Sequence, residues 1–295
     1  MGADRVLRRC APRTRPIARL SLQVLPRPAL SIGGAMQTVR PLDRTQADRG
    51  GEVIATFRSG CYVRFDKAVF AIGGSSMHAG PLHLVVDGVC PRFDEGKRAT
   101  MTADCLSLHG FEIGLHTATL WAPSCPDLAS LFNALPTIEQ IASSLTTPIE
   151  LDAQWGAIER AAETQEFSLM RELLEGRGSG LTPVGDDVLA GALLLHAMAR
   201  PGAATVRTVA ADARTTTLSR RFLHWAARGQ CIEPVHRMIN EAGSGQTAAA
   251  HQSAEIIRGV GASSGEALII GLALAARGLQ RDDALRASSP FVKNP

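Results

Sequence analysis

The first half of the chain consists of short apolar runs separated by turn residues. Runs rich in β-branched and aromatic side chains occupy positions 53–57, 61–65, 69–73, 82–86, 101–106 and 111–120. Gly-Pro and Asp-Gly pairs separate several of these runs. A spacing of about 8–12 residues between short strands is typical of a β-barrel or a β-sandwich. The pattern therefore predicts a β-rich segment.

From position 126 onward the apolar residues recur at helical spacing. The predicted helices cover residues 128–135, 138–145, 155–174, 188–198, 218–228, 232–241, 247–260 and 264–277. Asp127, Thr137 and Thr182 are the expected N-caps, and Pro183 is the expected first residue of the helix after Thr182.

A series of strands followed by a series of helices indicates an α+β fold with separate parts, and it disfavours an alternating βα sheet. We expect a barrel- or sandwich-like domain at residues 45–125 and an all-helical domain at 126–290. Residues 1–40 are predicted to be a disordered, Pro- and Arg-rich extension. Alternatively, Met36 is the true start of the protein.

The positive charge of the chain is concentrated in this extension. Residues 1–40 contain eight arginines and one acid, whereas the remaining residues carry 23 basic and 27 acidic side chains, a net charge of −4. A nucleic-acid-binding body should present a basic face, so we expect no nucleic-acid partner. No apolar run reaches the ~18 residues of a membrane span, so we expect no membrane partner.

The six cysteines are scattered and form no Cys-x-x-Cys pair. This spacing disfavours a zinc ribbon or a thioredoxin-type site. Scattered thiols in a chain of this length are typical of small buried apolar residues in a reducing compartment, so we expect a cytoplasmic protein.

The segment at 176–191 has the strongest chemical signal. Four glycines, Thr182, Pro183 and the adjacent Asp186 and Asp187 lie between two predicted helices. Glycine lets backbone N–H groups approach a ligand closely, and a helix N-terminus attracts anions. The alternative interpretation is a helix end, a turn and a capped restart, with the two acids complementing the helix dipole.

Two other helix starts are similar in composition, at 212–219 and 260–266. If the three starts converge, they form a pocket for a small, oxygen-rich anion, although simple N-capping explains each Ser/Thr cluster taken alone. The candidate catalytic residues are Thr182, Asp186, Asp187 and Arg214. The candidate substrate- or anion-binding residues are Gly178, Ser179, Gly180, Thr215, Thr216, Arg228, Ser263 and Ser264.

The residues from Gly178 to Gly191 resemble a family of bacterial proteins that includes the small subunit of oxamate carbamoyltransferase. The blocks at 214–219, 227–229 and 261–265 are similar to later blocks of that family, and Val184, Ala262 and Glu266 depart from its pattern. The resemblance implies phosphorolysis of a carbamoylated amide to carbamoyl phosphate, in an assembly with other subunits.

We therefore expect a carbamoyltransferase-like enzyme or subunit that belongs to a homo- or hetero-oligomer, acts on a small anionic substrate and uses no cofactor. In this hypothesis Asp186 and Asp187 orient an NH₂ group or accept its proton. Two alternatives stay open. One is a non-catalytic binding or scaffold subunit, and the other is a phosphate-ester enzyme in which Asp186 and Asp187 bind Mg²⁺.

Overall fold

The computed structural model describes residues 18–20, 49–66, 68–88, 90–102, 105–115 and 118–288. The prediction for residues 1–40 therefore lies, apart from Ala18–Leu20, outside the described residues. The chain divides into two compact units. One unit contains the strands, and the other contains the helices together with segment 78–83.

The strand unit is one antiparallel, barrel-like sheet, in which the strands between residues 49 and 114 are joined at one edge by the short strand β1. The strand order is β1-β5-β4-β3-β2-β6-β7-β8. The strands are β1 Ala18–Leu20, β2 Arg49–Phe57, β3 Gly60–Phe65, β4 Ala68–Gly73, β5 His83–Val86, β6 Arg98–Met101, β7 Cys105–Leu108 and β8 Phe111–Gly114.

Alternating side chains build the core of this unit. In β3, Cys61, Val63 and Phe65 are buried, whereas the intervening residues are partly or fully exposed. This period of two is the pattern of a strand with one face against a core. Leu106, Leu108 and Ile113 add the opposite part of the same core.

The helical unit contains nine α-helices and one 3₁₀ helix within the described residues. They are α1 Leu128–Ala142, the 3₁₀ helix Ile149–Gln154, α2 Trp155–Glu163, α3 Phe167–Leu174, α4 Val184–Ala199, α5 Ala204–Asp212, α6 Thr217–Ala226, α7 Glu233–Gly243, α8 Thr247–Arg258 and α9 Ser264–Ser288. The α+β prediction is confirmed.

Helices α4 and α9 form the centre of this unit. Most of α4 is buried, as expected for a helix that is apolar on all sides. A Cβ added at Gly191 would lie 2.1 Å from the Leu268 carbonyl oxygen, and one at Gly271 would lie 1.9 Å from the Val188 carbonyl oxygen. The two helices therefore touch backbone to backbone, and only glycine fits at these two positions.

Two predicted helix boundaries are wrong. The expected helix at 155–174 is two helices, because Gln165 adopts a φ of 57° and turns the chain between α2 and α3. The expected restart at Thr137 does not occur. Helix α1 continues through Pro136, with Leu135 and Ile138 buried on either side of it.

Two predicted strands are also shorter than expected. A turn at Thr102, whose side-chain oxygen accepts the Cys105 N–H at 3.0 Å, divides the run at 101–106 between β6 and β7. The run at 111–120 is a strand only as far as Gly114. His109 and Gly110 form the β7–β8 turn, where both have positive φ.

Candidate functional site

The loop before α4 is folded back onto the first turn of that helix. Gly176, Gly178 and Gly180 all have positive φ, a conformation that is costly for other residues. A Cβ at Gly178 would lie 2.9 Å from the Val184 nitrogen. The helix begins at Val184 with Pro183 at the N-cap position, so the prediction that Thr182 caps it is wrong.

Asp186 joins this loop to the start of α6. It is 2% exposed, its Oδ1 accepts the Gly176 N–H at 2.9 Å, and its Oδ2 accepts the Thr215 hydroxyl. Both carboxylate oxygens are therefore occupied by the protein itself. This finding gives Asp186 a structural role, because its acceptor atoms hold two segments together, and its role in orienting a substrate NH₂ stays a prediction.

A second contact joins the same loop to α6. The Thr216 hydroxyl donates to the Leu181 carbonyl at 2.5 Å and accepts the Ser219 N–H at 3.0 Å. Thr216 is thus the N-cap of α6, as the capping interpretation proposed. Its second contact shows that this cap also fixes the position of the glycine loop.

A third contact joins the loop to α9. The hydroxyl oxygens of Thr182 and Ser264 are 3.1 Å apart, and Ser264 also hydrogen-bonds to the side chain of Asp187. The beginnings of α4, α6 and α9 therefore meet at one place. This is the arrangement on which the predicted anion pocket depends, and we call it the helix-mouth site.

Asp187 is the polar group at this site that the protein satisfies least. Its Oδ2 is buried and has no hydrogen-bond partner in the described part of the chain. Burial raises the pKa of Asp187 well above its usual value, and the neighbouring Asp186 raises it further, while the Ser264 hydrogen bond lowers it. Burial therefore disfavours the charged form of Asp187, and the protonated form of this carboxyl can donate a hydrogen bond.

Some backbone N–H groups at the site already donate hydrogen bonds within the protein, whereas others do not. In α4, the N–H groups of Gly185, Asp186 and Asp187 already donate to Arg177 or Pro183 carbonyls. In contrast, among the described contacts none uses the N–H groups of residues 178–180, of 217–218 in α6, or of 264 and 266 in α9. An anion would therefore bind nearer to the loop and to α6 and α9 than to α4.

The remaining predicted residues are placed differently. Gly178, Ser179, Gly180 and Ser263 are exposed. Arg214 is also exposed, and its backbone N–H donates to Glu175 Oε2 at 2.8 Å. The guanidinium group of Arg214 has no ion-pair partner among the described residues, so it is available to an anion.

Arg228 does not lie at the helix-mouth site. The following residue, Gly229, packs against Met198 near the end of α4. Met198 is eleven residues beyond Asp187, which corresponds to roughly 16 Å along a helix that rises 1.5 Å per residue. The Arg228 guanidinium donates to the His224 carbonyl at 2.8 Å, and burial followed by the charge of Arg207 lowers its pKa.

Three contributors to the site were not predicted: the Glu175 carboxylate, the Leu181 carbonyl and the Cys231 thiol. Glu175 is hydrogen-bonded to a residue 39 positions away, and no local pattern carries such a signal. Burial raises the pKa of Cys231 to about 12, and the Asp187 carboxylate contributes to that increase. The thiol therefore lies within electrostatic range of Asp187.

The described residues contain no group of three or more His, Cys, Asp or Glu side chains arranged to bind a metal ion. The occupied oxygens of Asp186 do not favour Mg²⁺ there, and binding by Asp187 stays a prediction. Within the same residues, none of the helices combines the length and apolar character that spanning a bilayer requires.

Residues 174–276 match the model of the family described as oxamate carbamoyltransferase subunit AllH. The matched segment runs from the end of α3 into α9 and includes the whole helix-mouth site. The match covers about a third of the chain, and it confirms the resemblance of the Gly-Asp-Asp segment to that family. No curated protein and no solved structure matches the chain.

Proposed function

We propose that this chain is a subunit of a carbamoyltransferase and that its helix-mouth site binds a small carbamoylated amide, or the carboxylate product, together with phosphate. The observation that carries the proposal is the meeting of three helix starts around Asp187, whose buried Oδ2 has no partner. The match to a carbamoyltransferase-subunit family over the same residues agrees with this choice.

The open backbone donors suit the anionic part of the substrate. The N–H groups of residues 178–180, 217–218, 264 and 266 lie at the positive ends of helix dipoles or in the glycine loop between them. Such donors bind phosphate or carboxylate without burying a compensating charge. Arg214 can add a bidentate contact from the rim.

In the reaction that we propose, a phosphate oxygen attacks the carbamoyl carbon. The bond from this carbon to the amide nitrogen then breaks, and the proton that phosphate brings ends on the departing nitrogen. The products are carbamoyl phosphate and the primary amide, so atoms and charges balance. The tetrahedral intermediate carries an oxyanion, which preorganised donors stabilise.

Asp187 has a specific part in this scheme. Because burial favours its neutral form, the Asp187 carboxyl does not repel the anion and can donate to an oxygen or to the departing nitrogen. A carboxylic acid held neutral in an apolar site is a known device for hydrogen-bond donation. Ser264, which is bonded to both Asp187 and Thr182, is expected to fix the orientation of the carboxyl group.

The experiment is a ligand-induced thermal shift combined with an exchange assay. The full chain is heated with phosphate, carbamoyl phosphate and oxamate, and phosphate-dependent carbamoyl exchange is measured alone and with candidate partner subunits. We expect a higher Tm with phosphate or carbamoyl phosphate, and loss of both signals in Asp187→Ala, which removes the donor. Asp152→Ala is the matched control, because Asp152 is exposed on the 3₁₀ helix.

A scaffold subunit is the second candidate. The observation that favours it is that Asp186, Thr215 and Thr216 use their side-chain polar atoms to bind one another's segments. The scaffold role is correct, and the proposed chemistry is wrong, if no anion raises the Tm and if the Asp187→Ala chain restores full activity to an assembly that lacks this subunit.

A further inference from the structure

A cavity of about 450 Å³ lies elsewhere in the helical unit, between residues 121–124, helix α7 and the turn after it. Its volume falls within the ~300–1,000 Å³ of typical small-molecule sites. Its lining includes Trp121, Glu233, His236, Asn240 and Glu241, and no residue of the helix-mouth site is among its lining residues. The cavity is therefore separate from the site proposed above.

Asn240 of α7 offers an acceptor to this cavity. Asn240 Nδ2 donates to the Ser124 carbonyl at 2.7 Å and to the His236 carbonyl at 2.9 Å. Both amide hydrogens are thus in use, which leaves the amide oxygen as an acceptor.

The charges of the lining are unequal. Arg237 pairs with Glu233 Oε1 at 3.4 Å and donates through Nε to Ser253 Oγ at 3.1 Å, and that hydroxyl donates to Glu241 Oε2 at 2.6 Å. This guanidinium is therefore held by Glu233 and Ser253 through Nη1 and Nε. Each carboxylate keeps one oxygen without a partner among the described contacts, and two acids face one base.

His236 is a buried donor without an acceptor. It is 2% exposed, and its Nε2 accepts the Cys231 N–H at 3.0 Å, so a neutral ring carries its proton on Nδ1. Burial lowers the pKa of His236 to about 4, which keeps the ring neutral at pH 7. Nδ1 has no hydrogen-bond partner in the described part of the chain. Buried donors are rarely left unpaired, so this wall lacks an acceptor.

Trp121 contributes an aromatic side chain to the cavity lining. Its ring centroid lies 6.0 Å from that of His236, in an edge-on arrangement. An indole face is the best aromatic partner for an organic cation. The cavity therefore combines an aromatic surface, surplus acceptors, surplus negative charge and one unpaired buried donor.

We propose that this cavity binds a small organic cation of amino-acid size, with an ammonium or guanidinium group and a nearby carboxylate or carbonyl oxygen. The cationic group lies against Trp121 and donates to the open oxygen of Glu233. The oxygen of the ligand accepts from His236 Nδ1–H. This proposal does not depend on the proposed function.

The test is calorimetric titration of the full chain with three probes. L-Arginine has the cation and the carboxylate, agmatine has cationic groups without a carboxylate, and N-acetyl-L-glutamine has the carboxylate without a cationic group. We expect L-arginine to bind at millimolar concentration or tighter, and each other probe to bind about tenfold more weakly. Equal binding of N-acetyl-L-glutamine and L-arginine, or no heat with any probe, would overturn the proposal.

Two variants locate the site. Glu233→Gln and Trp121→Leu should each weaken L-arginine binding about tenfold. Glu255→Gln is the control, because Glu255 also pairs with an arginine, at 2.9 Å, but lies on α8 outside the cavity lining. Far-UV circular dichroism checks that each variant is folded. Unchanged L-arginine binding in both folded cavity variants would also refute this location.

Discussion

The Asp186 contact makes the most direct prediction about stability. Asp186→Ala removes the acceptors of the Gly176 N–H and the Thr215 hydroxyl, both of which then lie next to a buried position. A hydrogen bond to a charged group contributes about 1.5–3 kcal/mol, and an unsatisfied buried donor costs about 1–3 kcal/mol. Because removal of a buried carboxylate also relieves its desolvation, we expect a net loss of about 3 kcal/mol.

Asp186→Asn should behave differently. The asparagine Oδ1 can still accept the Gly176 N–H, and its NH₂ group can donate to Thr215, whose hydroxyl can reverse its role. Only the charge assistance is lost, so the expected cost is about 1 kcal/mol. This value differs from a catalytic prediction, in which the Asn variant would be fully stable but inactive.

Thermal unfolding followed by far-UV circular dichroism measures the series. For a domain of 150–250 residues, about 1 kcal/mol lowers the Tm by roughly 2–4 °C. We therefore expect a decrease of about 6–12 °C for Asp186→Ala and of about 2–4 °C for Asp186→Asn. The exposed control Asp152→Asn should stay within about 2 °C.

The critical result is how the decrease in Tm of Asp186→Ala compares with that of Asp186→Asn. If the Ala and Asn variants unfold at the same temperature, the hydroxyl of Thr215 does not exchange roles as argued. If Asp186→Ala unfolds with the wild type, the carboxylate does not hold the two segments together. In a double-variant cycle, Thr215→Val should cost little once Asp186 is alanine.

Three further predictions concern other groups of the helical unit. Burial raises the pKa of Asp187 in the folded state above the ~3.9 of an unfolded chain. Between the unfolded-state pKa and the folded-state pKa, the free energy of unfolding of the wild type should therefore fall by about 1.4 kcal/mol for each unit that the pH rises. Asp187→Asn should lack this decrease in thermal unfolding at several pH values, and a variant less stable than wild type at pH 7 would contradict the assigned direction. Gly271→Ala should lower the free energy of unfolding by about 1–3 kcal/mol, because the added methyl group would collide with the Val188 carbonyl. Urea unfolding measures this loss, and an unchanged free energy of unfolding would show that α4 and α9 can move apart without cost. Burial raises the pKa of the Cys231 thiol to about 12, so Cys231 should resist iodoacetamide at pH 8 until the chain is denatured. Rapid labelling of the native protein, detected by peptide mass spectrometry, would show that the thiol is accessible.

The features that sequence predicted well are those determined by neighbouring residues. The alternation in Cys61, Val63 and Phe65 and the helical spacing after residue 126 each reflect local geometry, so the α+β class was confirmed. Asp127 caps α1 by accepting the Ser130 N–H at 2.7 Å, as its position predicted. The glycine loop was also visible, because positive φ selects glycine within a few residues.

The features that sequence could not predict depend on contacts between distant segments. Nothing near Asp186 in the chain indicates that Thr215, 29 positions away, occupies its second oxygen. No nearby residue indicates the burial that favours the neutral form of Asp187 either. Arg228 was grouped with the anion site because of its residue type, but it follows the C-terminal end of α6, where Gly229 packs beside Met198, whereas the site lies at the start of that helix. Residue type alone does not reveal which end of a helix a side chain occupies.

The glycine contact between α4 and α9 has a consequence for how variants of this protein should be interpreted. Gly191 lies four residues after Asp187, and Leu268, whose carbonyl it meets, lies four residues after Ser264. The separation of the carboxyl from the hydroxyl is thus set one turn deeper, where the two backbones touch. A larger residue at Gly191 or Gly271 would push the two helices apart and would increase the distance between the Asp187 carboxyl and the Ser264 hydroxyl. Such a change would weaken ligand binding without any contact between the substituted residue and the ligand.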